Sequence, residues 1–141
     1  MLTAFDGGIG DWFGESVGIS GDTIVVSAIS ADNGANLDQG AAYVFVKPMG
    51  GWSDMTQTAK LVAGDGAHSD WLGRSIAISG DVVVTGAEAD DIGANANQGS
   101  AYIFVKPGGG GWSGTLTHTA KLTASDGLAS DGFWGLCGHE R

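Results

Sequence analysis

The chain has 141 residues, a formal net charge of −10 and a pI near 4.2. So acidic a surface argues against nucleic acid, which needs a basic face to replace condensed counterions, and against docking on anionic membranes. No apolar run approaches the ~20 residues of a membrane-spanning helix, and the single cysteine, Cys137, excludes a disulfide within the chain.

The 26 glycines follow no collagen period and belong in turns. No basic and apolar leader is read at Met1, because Leu2-Thr3-Ala4 is already repeat sequence; a chain beginning inside a longer gene would look the same. Residues 1–60 and 61–121 are two copies of one unit, identical at more than half of the aligned positions. Residues 122–141 open a third copy that stops matching near Phe133. A repeat of roughly 60 residues is one supersecondary unit, which buries its apolar face only by stacking on its neighbours.

Each copy begins with Asp-Gly followed by a second Asp: Asp6-Gly7 with Asp11, Asp65-Gly66 with Asp70, Asp126-Gly127 with Asp131. An Asx turn between one unit and the next is expected there, with a metal role as the alternative. Ser16–Ile19 and Ser75–Ile78 alternate apolar with small or polar residues, as a strand does. Ser20-Gly21-Asp22 and Ser79-Gly80-Asp81 supply tight-turn chemistry. Thr23–Ala28 and Val82–Ala87 are rich in β-branched residues and nearly continuous, which predicts a strand covered on both faces. A polar loop follows, Ser30–Gly40 and Ala89–Gly99. The third strand is expected at Ala41–Lys47 and Ser100–Lys106, ended by Pro48 and Pro107. A glycine-rich turn reaches Trp52 and Trp112. A fourth strand, Thr56–Ala63 or Leu116–Ala124, closes the unit and crosses into the next.

No segment has helical periodicity. Four antiparallel strands per unit predict an all-β fold of tandem β-propeller blades, two repeats plus a partial third. Two blades and a stub cannot close a ring of roughly 4 to 8 blades. The result is an incomplete propeller or a repeat assembly with exposed edge strands. A fragment of a larger propeller, a ring of several copies and an open filament all satisfy it.

The long loop carries the best candidate site. It holds Asp32, Asn33, Asn36 and Asp38 in the first copy, and Asp90, Asp91, Asn95 and Asn97 in the second. Hard oxygen donors at close spacing suit calcium, so Asp32, Asn36, Asp38, Asp91, Asn95 and Asn97 form a candidate metal set. The alternative is that Asp, Asn and Gly are turn formers on a solvated loop. Trp12, Trp71, Trp52 and Trp112 recur in equivalent places and are expected to pack in the core or between blades; a sugar-stacking platform is the alternative. His68 and His118 are unmatched in the other copy, where Ile9 and Gln57 or Thr58 stand, and no convergent second ligand accompanies them. No Ser-His-Asp order, P-loop or dinucleotide-binding glycine motif is present.

Three elements carry a family resemblance. They are Phe13-Gly14 (Leu72-Gly73) before the first strand, Ser27-Ala28 (Gly86-Ala87) ending the second, and the Gly-x-x-Tyr-x-Phe of Gly40–Phe45 and Gly99–Phe104. The chain so resembles the FG-GAP repeat family, the blades of integrin-α-type β-propellers, from Leu2 to about Phe133. The resemblance implies a non-catalytic segment of an extracellular or cell-surface protein that binds or adheres through loops at one face, with a protein or glycan ligand. One alternative is a structural subunit of an extracellular fibre, self-assembling through repeat stacking and edge strands. Another is a fragment of a propeller enzyme whose catalytic residues lie in other blades. Calcium-binding members carry an Asp-x-Asp-x-Asp-Gly type loop between the Phe-Gly and Gly-Ala elements. Only Ser-Gly-Asp-Thr or Ser-Gly-Asp-Val stands there in this chain, too short to wrap a cation.

The tail from Gly132 to Arg141 leaves the pattern. Deleting one base of the Trp134 codon allows Phe-Gly-x-Ser-Val-Ala-Met-Ser, which matches both copies. A truncated, frameshifted third repeat is the expectation, leaving Cys137, His139, Glu140 and Arg141 without evolved roles. An authentic terminal cap is the alternative.

Overall fold

A computed structural model describes residues 1–132; the tail from Phe133, with its expected frameshift, lies outside the described residues. In chain order the strands are β1 (Leu2–Thr3), β2 (Phe13–Ser20), β3 (Thr23–Ala28), β4 (Ala41–Val46), β5 (Met55–Thr56), β6 (Ala59–Val62), β7 (Leu72–Ser79), β8 (Val82–Ala87), β9 (Ser100–Val105), β10 (Gly114–Thr117) and β11 (Ala120–Leu122). The fold is all-β. Among the described residues no helix occurs, and so none long and apolar enough to cross a membrane.

The first blade runs β2-β3-β4-β6 and the second β7-β8-β9-β11, each antiparallel throughout. The two-residue hairpin after β2 has Gly21 at φ 56°, and the one after β7 has Gly80 at φ 56°. A glycine with positive φ at the first central position gives a turn whose twist matches the strands. The register of β2 against β3 slips between Phe13 and Val17, and that of β7 against β8 between Leu72 and Ile76. In the first blade, the Ser27 hydroxyl accepts the Ser16 amide at this bulge.

The expected single fourth strand is two strands that belong to different sheets. Thr58 makes the corner: its amide donates to Val44 O, and its hydroxyl accepts the Val46 amide. Thr119 repeats both bonds with Ile103 and Val105. Before the corner, β10 pairs in parallel with β6, the edge strand of the first blade; β5 pairs likewise with β1. After the corner, β6 and β11 return to their own blades. A period-2 reading sees one apolar run here, because the pattern carries through the corner and only the partner changes.

Main-chain pairing therefore runs from one blade into the next. Val25, Ala42, Val44, Ala59 and Leu61 of the first blade pack against Leu72, Val83, Ala87, Tyr102, Phe104 and Trp112 of the second. A smaller cluster, Val26, Ala28, Ala31, Ala41, Tyr43 and Phe45, lies on the opposite face of the first blade; Leu2 and Ala4 pack against it. Gly40 is pinned between blades: its φ is 87°, and a Cβ there would lie 2.2 Å from Leu72 O.

Candidate functional site

The long loops gather at one end of the blades. In the first, Asn33 and Asn36 exchange backbone bonds in a small antiparallel bridge, and Ile92 with Asn95 repeats it. The Asp32 carboxylate accepts the Asp38 amide at 2.9 Å; Asp91 accepts the Asn97 amide at 2.8 Å. These bonds hold Asp38 and Asn97 at φ 55° and 54°, where their short polar side chains are tolerated.

Asn36 and Asn95 are clasps. Asn36 Nδ2 donates to Gln39 Oε1 and to Gly66 O, at the start of the next repeat. The buried Gln39 completes the clasp by donating to Ala63 O at 3.0 Å. Asn95 and Gln98 make the same bonds to Gly127 O and Ala124 O. A side chain at Gly66 would overlap the Gln39 amide, which explains the glycine of the recurring Asp-Gly. The six candidate metal ligands thus close the loops or join successive repeats. Among the described residues, no group of three or more His, Cys, Asp or Glu is placed to hold a metal.

The recurring aspartates divide into two jobs. Asp11, Asp70 and Asp131 each accept the amide three residues earlier, of Gly8, Ala67 and Leu128. Asp6 and Asp65 instead leave the turn. Asp6 accepts Tyr43 Oη at 3.0 Å and Lys60 Nζ at 2.6 Å; Asp65 accepts Tyr102 Oη and Lys121 Nζ, each at 2.9 Å. The expected Asx turn thus fits only part of the motif. Tyr, Lys and the first Asp recur together in both copies, a signal the sequence reading passed over. Burial raises Asp6 and Asp65, but the lysine and tyrosine bonds outweigh it and hold both below the ordinary carboxylate range. Burial and the neighbouring aspartates push both tyrosines up.

The second repeat adds a buried carboxylate. Asp90 accepts the Ser100 hydroxyl and Lys121 Nζ at 2.8 Å, and it lies 3.1 Å from Tyr102 Oη, whose one proton it shares with Asp65. Burial pulls Lys121 down, but its bonds to Asp90 and Asp65 hold it above its ordinary range. Asp70 is raised to about 6 by burial, with the charges of Asp90 and Asp91 adding to it. A cavity of about 360 Å³ opens here, lined by Asp65, His68, Asp70, Asp90, Asp91 and Lys121 among others. His118 lies elsewhere: its Nδ1 accepts the Gly64 amide and its ring meets Tyr102 edge-on.

The tryptophans depart from expectation. Trp112 is buried in the inter-blade core, as packing requires. Trp12 and Trp71 are 64% and 40% exposed and sit at φ 60° and 59°. Left-handed backbone is costly for a bulky side chain. The third copy has Gly132 in that place, at φ 60°. The backbone there suits glycine, and two copies carry an exposed indole instead. Trp71 lines a second, adjoining cavity of about 490 Å³ with Ser69, Glu88, Asn97 and Ser130.

No curated protein matches the chain. A family model described as the FG-GAP repeat matches residues 1–45 and 55–104, one match on each copy. With the paired blades, these matches make the chain a β-propeller-type repeat segment that belongs to the FG-GAP repeat family.

Proposed function

We propose that this chain is a non-catalytic binding or adhesion segment of an extracellular or cell-surface protein, with the loop end of the blades as its contact face. FG-GAP repeats are typically non-catalytic and typical of such proteins. One observation carries the reading. Trp12 and Trp71 are held exposed in a backbone conformation that favours glycine, and they do little for the core. Backbone strain that packing does not explain points to a role in recognition. An indole beside Glu88, Asn97 and the acidic cavity offers an apolar face flanked by acceptors, suited to a glycan ring or a cationic protein side chain.

The test is retention of the intact chain on immobilised glycans and matrix proteins, with and without calcium. The double variant Trp12→Gly/Trp71→Gly should keep its stability within about 1 kcal/mol, because glycine relieves the positive φ while adding chain entropy. It should lose retention. Equal retention by the variant would sink the reading. A calcium-dependent gain that Asp32→Ala and Asp91→Ala remove would make the loop set Asp32, Asn36, Asp38, Asp91, Asn95 and Asn97 a cation site.

A second reading, a self-assembling structural subunit of an extracellular fibre, is favoured by a separate observation. Some apolar positions covered at the internal blade junction are uncovered on the outer faces of the two blades. Trp52 is 41% exposed where Trp112 is 6%, and Leu122 is 37% exposed where Leu61 is 0%.

A further inference from the structure

The internal junction defines two complementary faces. The far face of the first blade presents Val25, Val44, Ala59 and Leu61; the near face of the second presents Ile76, Ile78, Val83 and Trp112. Each face has an uncovered counterpart among the described residues. On the second blade the far-face positions are Val84, Ile103, Ala120 and Leu122, all partly or largely exposed. On the first blade the near-face positions Val17, Ile19, Ile24 and Trp52 are again partly or largely exposed, while Ala28, Tyr43 and Phe45, the equivalents of Ala87, Tyr102 and Phe104, are already buried in the cluster that Leu2 and Ala4 join.

We propose that these faces belong to one another in a second copy of this chain: the far face of one copy's second blade covers the near face of the next copy's first blade. This deepens the self-assembly reading and rests on it. Three features beyond apolarity fit the joint.

Charge is the first. Glu15 of the first blade accepts Arg74 Nη1 of the second at 3.1 Å across the internal junction. Positions 15 and 74 are equivalent, so between copies Arg74 meets the next Glu15, and opposite charges face each other again. A polar bond repeats in the same way. Gly80 N donates to Ser20 Oγ within the chain, and their equivalents, Gly21 and Ser79, stand ready for the same bond between copies.

Volume is the second. A Cβ on Gly18 would lie 3.1 Å from Ile78 Cγ2 and 3.4 Å from Ile76 Cγ2, so the internal joint is tight. The outer far face has Ala77 in place of Gly18, one methyl larger. The outer near face has Val17 in place of Ile76, one methylene smaller. The changes offset each other, as a volume-conserving pairing requires.

Strand pairing is the third. The edge strand β6 is flanked by β4 and β10, whereas among the described residues its equivalent β11 is paired only with β9. The natural partner of β11 is the next copy's β5, where the two-residue β1 now sits. Residues 2–7 read Leu-Thr-Ala-Phe-Asp-Gly and 122–127 read Leu-Thr-Ala-Ser-Asp-Gly. The two segments occupy the same place in successive repeats, so one can replace the other: β11 displaces β1, and residues 4–7 of the incoming copy replace residues 124–127 in the clasp of Asn95 and Gln98. Such a head-to-tail contact is heterologous and continues until it closes into a ring or runs on as a filament.

The experiment uses the intact chain in sedimentation velocity and light scattering over a concentration series, beside Leu122→Lys, which blocks the far face, and Ile19→Lys, which blocks the near face. Both positions are exposed, and circular dichroism checks the fold. The intact chain should form oligomers that grow with concentration. Each variant alone should be monomeric, with association weakened at least tenfold. Mixed in equal amounts, the two should form dimers and nothing larger, because one usable face remains on each. Glu15→Arg should weaken assembly of the intact chain, and Glu15→Arg/Arg74→Glu should restore it. A chain monomeric at every concentration overturns both the proposal and the self-assembly reading. Oligomers that persist in both lysine variants overturn this joint and leave self-assembly standing through another surface.

Discussion

The two repeats share a frame and differ at its centre. In the first, Tyr43 and Lys60 converge on Asp6, and Ala31 and Ala41 belong to the apolar cluster beside Tyr43. In the second, Tyr102 and Lys121 converge on Asp65, but Asp90 stands for Ala31 and Ser100 for Ala41. The alanine pair and the Asp–Ser pair are both buried. A carboxylate without partners at this depth would cost several kcal/mol. Here a lysine, a tyrosine and a serine hydroxyl all meet Asp90 Oδ2, so the buried carboxylate is paired with a cation and hydrogen-bonded. One backbone accepts either an apolar or an ionic centre, provided both positions change together. Asp90 also lines the acidic cavity at the loop end.

The largest effect should come from separating the repeats. Gly40→Ala places a Cβ against the Leu72 backbone at a φ of 87°, so neither rotation nor side-chain movement relieves it. A loss of about 3 kcal/mol or more is expected, with the junction disrupted. Gly34→Ala, at φ 63° with nothing within 4 Å, should cost only about 1 kcal/mol. Equal losses in chemical denaturation would show that the close approach does not hold the blades. Asp90→Ala comes next. It strips Ser100 and Tyr102 of an acceptor and leaves Lys121 with Asp65 alone, a loss of about 2 to 3 kcal/mol. Adding Ser100→Ala rebuilds the first repeat's centre and should recover at least about 1 kcal/mol. Additive losses in this cycle would break the comparison.

The clasp follows. Gln39→Ala removes the donor to Ala63 O and the acceptor of Asn36 beneath the covered junction, about 2 kcal/mol. Gln98 is as buried as Gln39, but its acceptor Ala124 is partly exposed where Ala63 is buried, so water can reach the carbonyl that Gln98→Ala frees and the change should cost about half as much.

The strands were legible because alternation and turn chemistry are local. Thr23–Ala28 and Val82–Ala87 have the bounds the residues implied, and the Ser-Gly-Asp hairpins turn where expected. The split fourth strand was not legible, since Thr58 and Thr119 change a strand's partner without changing the pattern. At the loops, recurrence singled out residues whose contacts spacing does not display. Asn36 and Asn95 recur because each reaches the next repeat's backbone, a contact 30 or more residues away that spacing cannot display. Recurrence also suggested that every tryptophan packs. Trp112 does, but a left-handed φ at Trp12 and Trp71 is invisible until the backbone is traced.

The smallest effect concerns charge at the ionic centre. Asp70, raised to about 6, lies near Asp90 and Asp91, while its equivalent Asp11 has no counterpart of Asp90 beside it. Its folded-state pKa lies above the ordinary 3.8, so folding favours the protonated form. That contribution is fully present below pH ~4 and is lost as pH rises through about 6. Asp70→Asn keeps an acceptor for the Ala67 amide and removes the charge. The variant should match the parent near pH 4 and exceed it above pH 6, by roughly 1 kcal/mol once solvent screening is allowed for. Thermal melts of the variant and its parent from pH 4 to 8 measure the divergence. Parallel curves for Asp70→Asn and its parent would mean that Lys121 already neutralises the centre, and that the second repeat carries its extra carboxylate with no penalty at neutral pH.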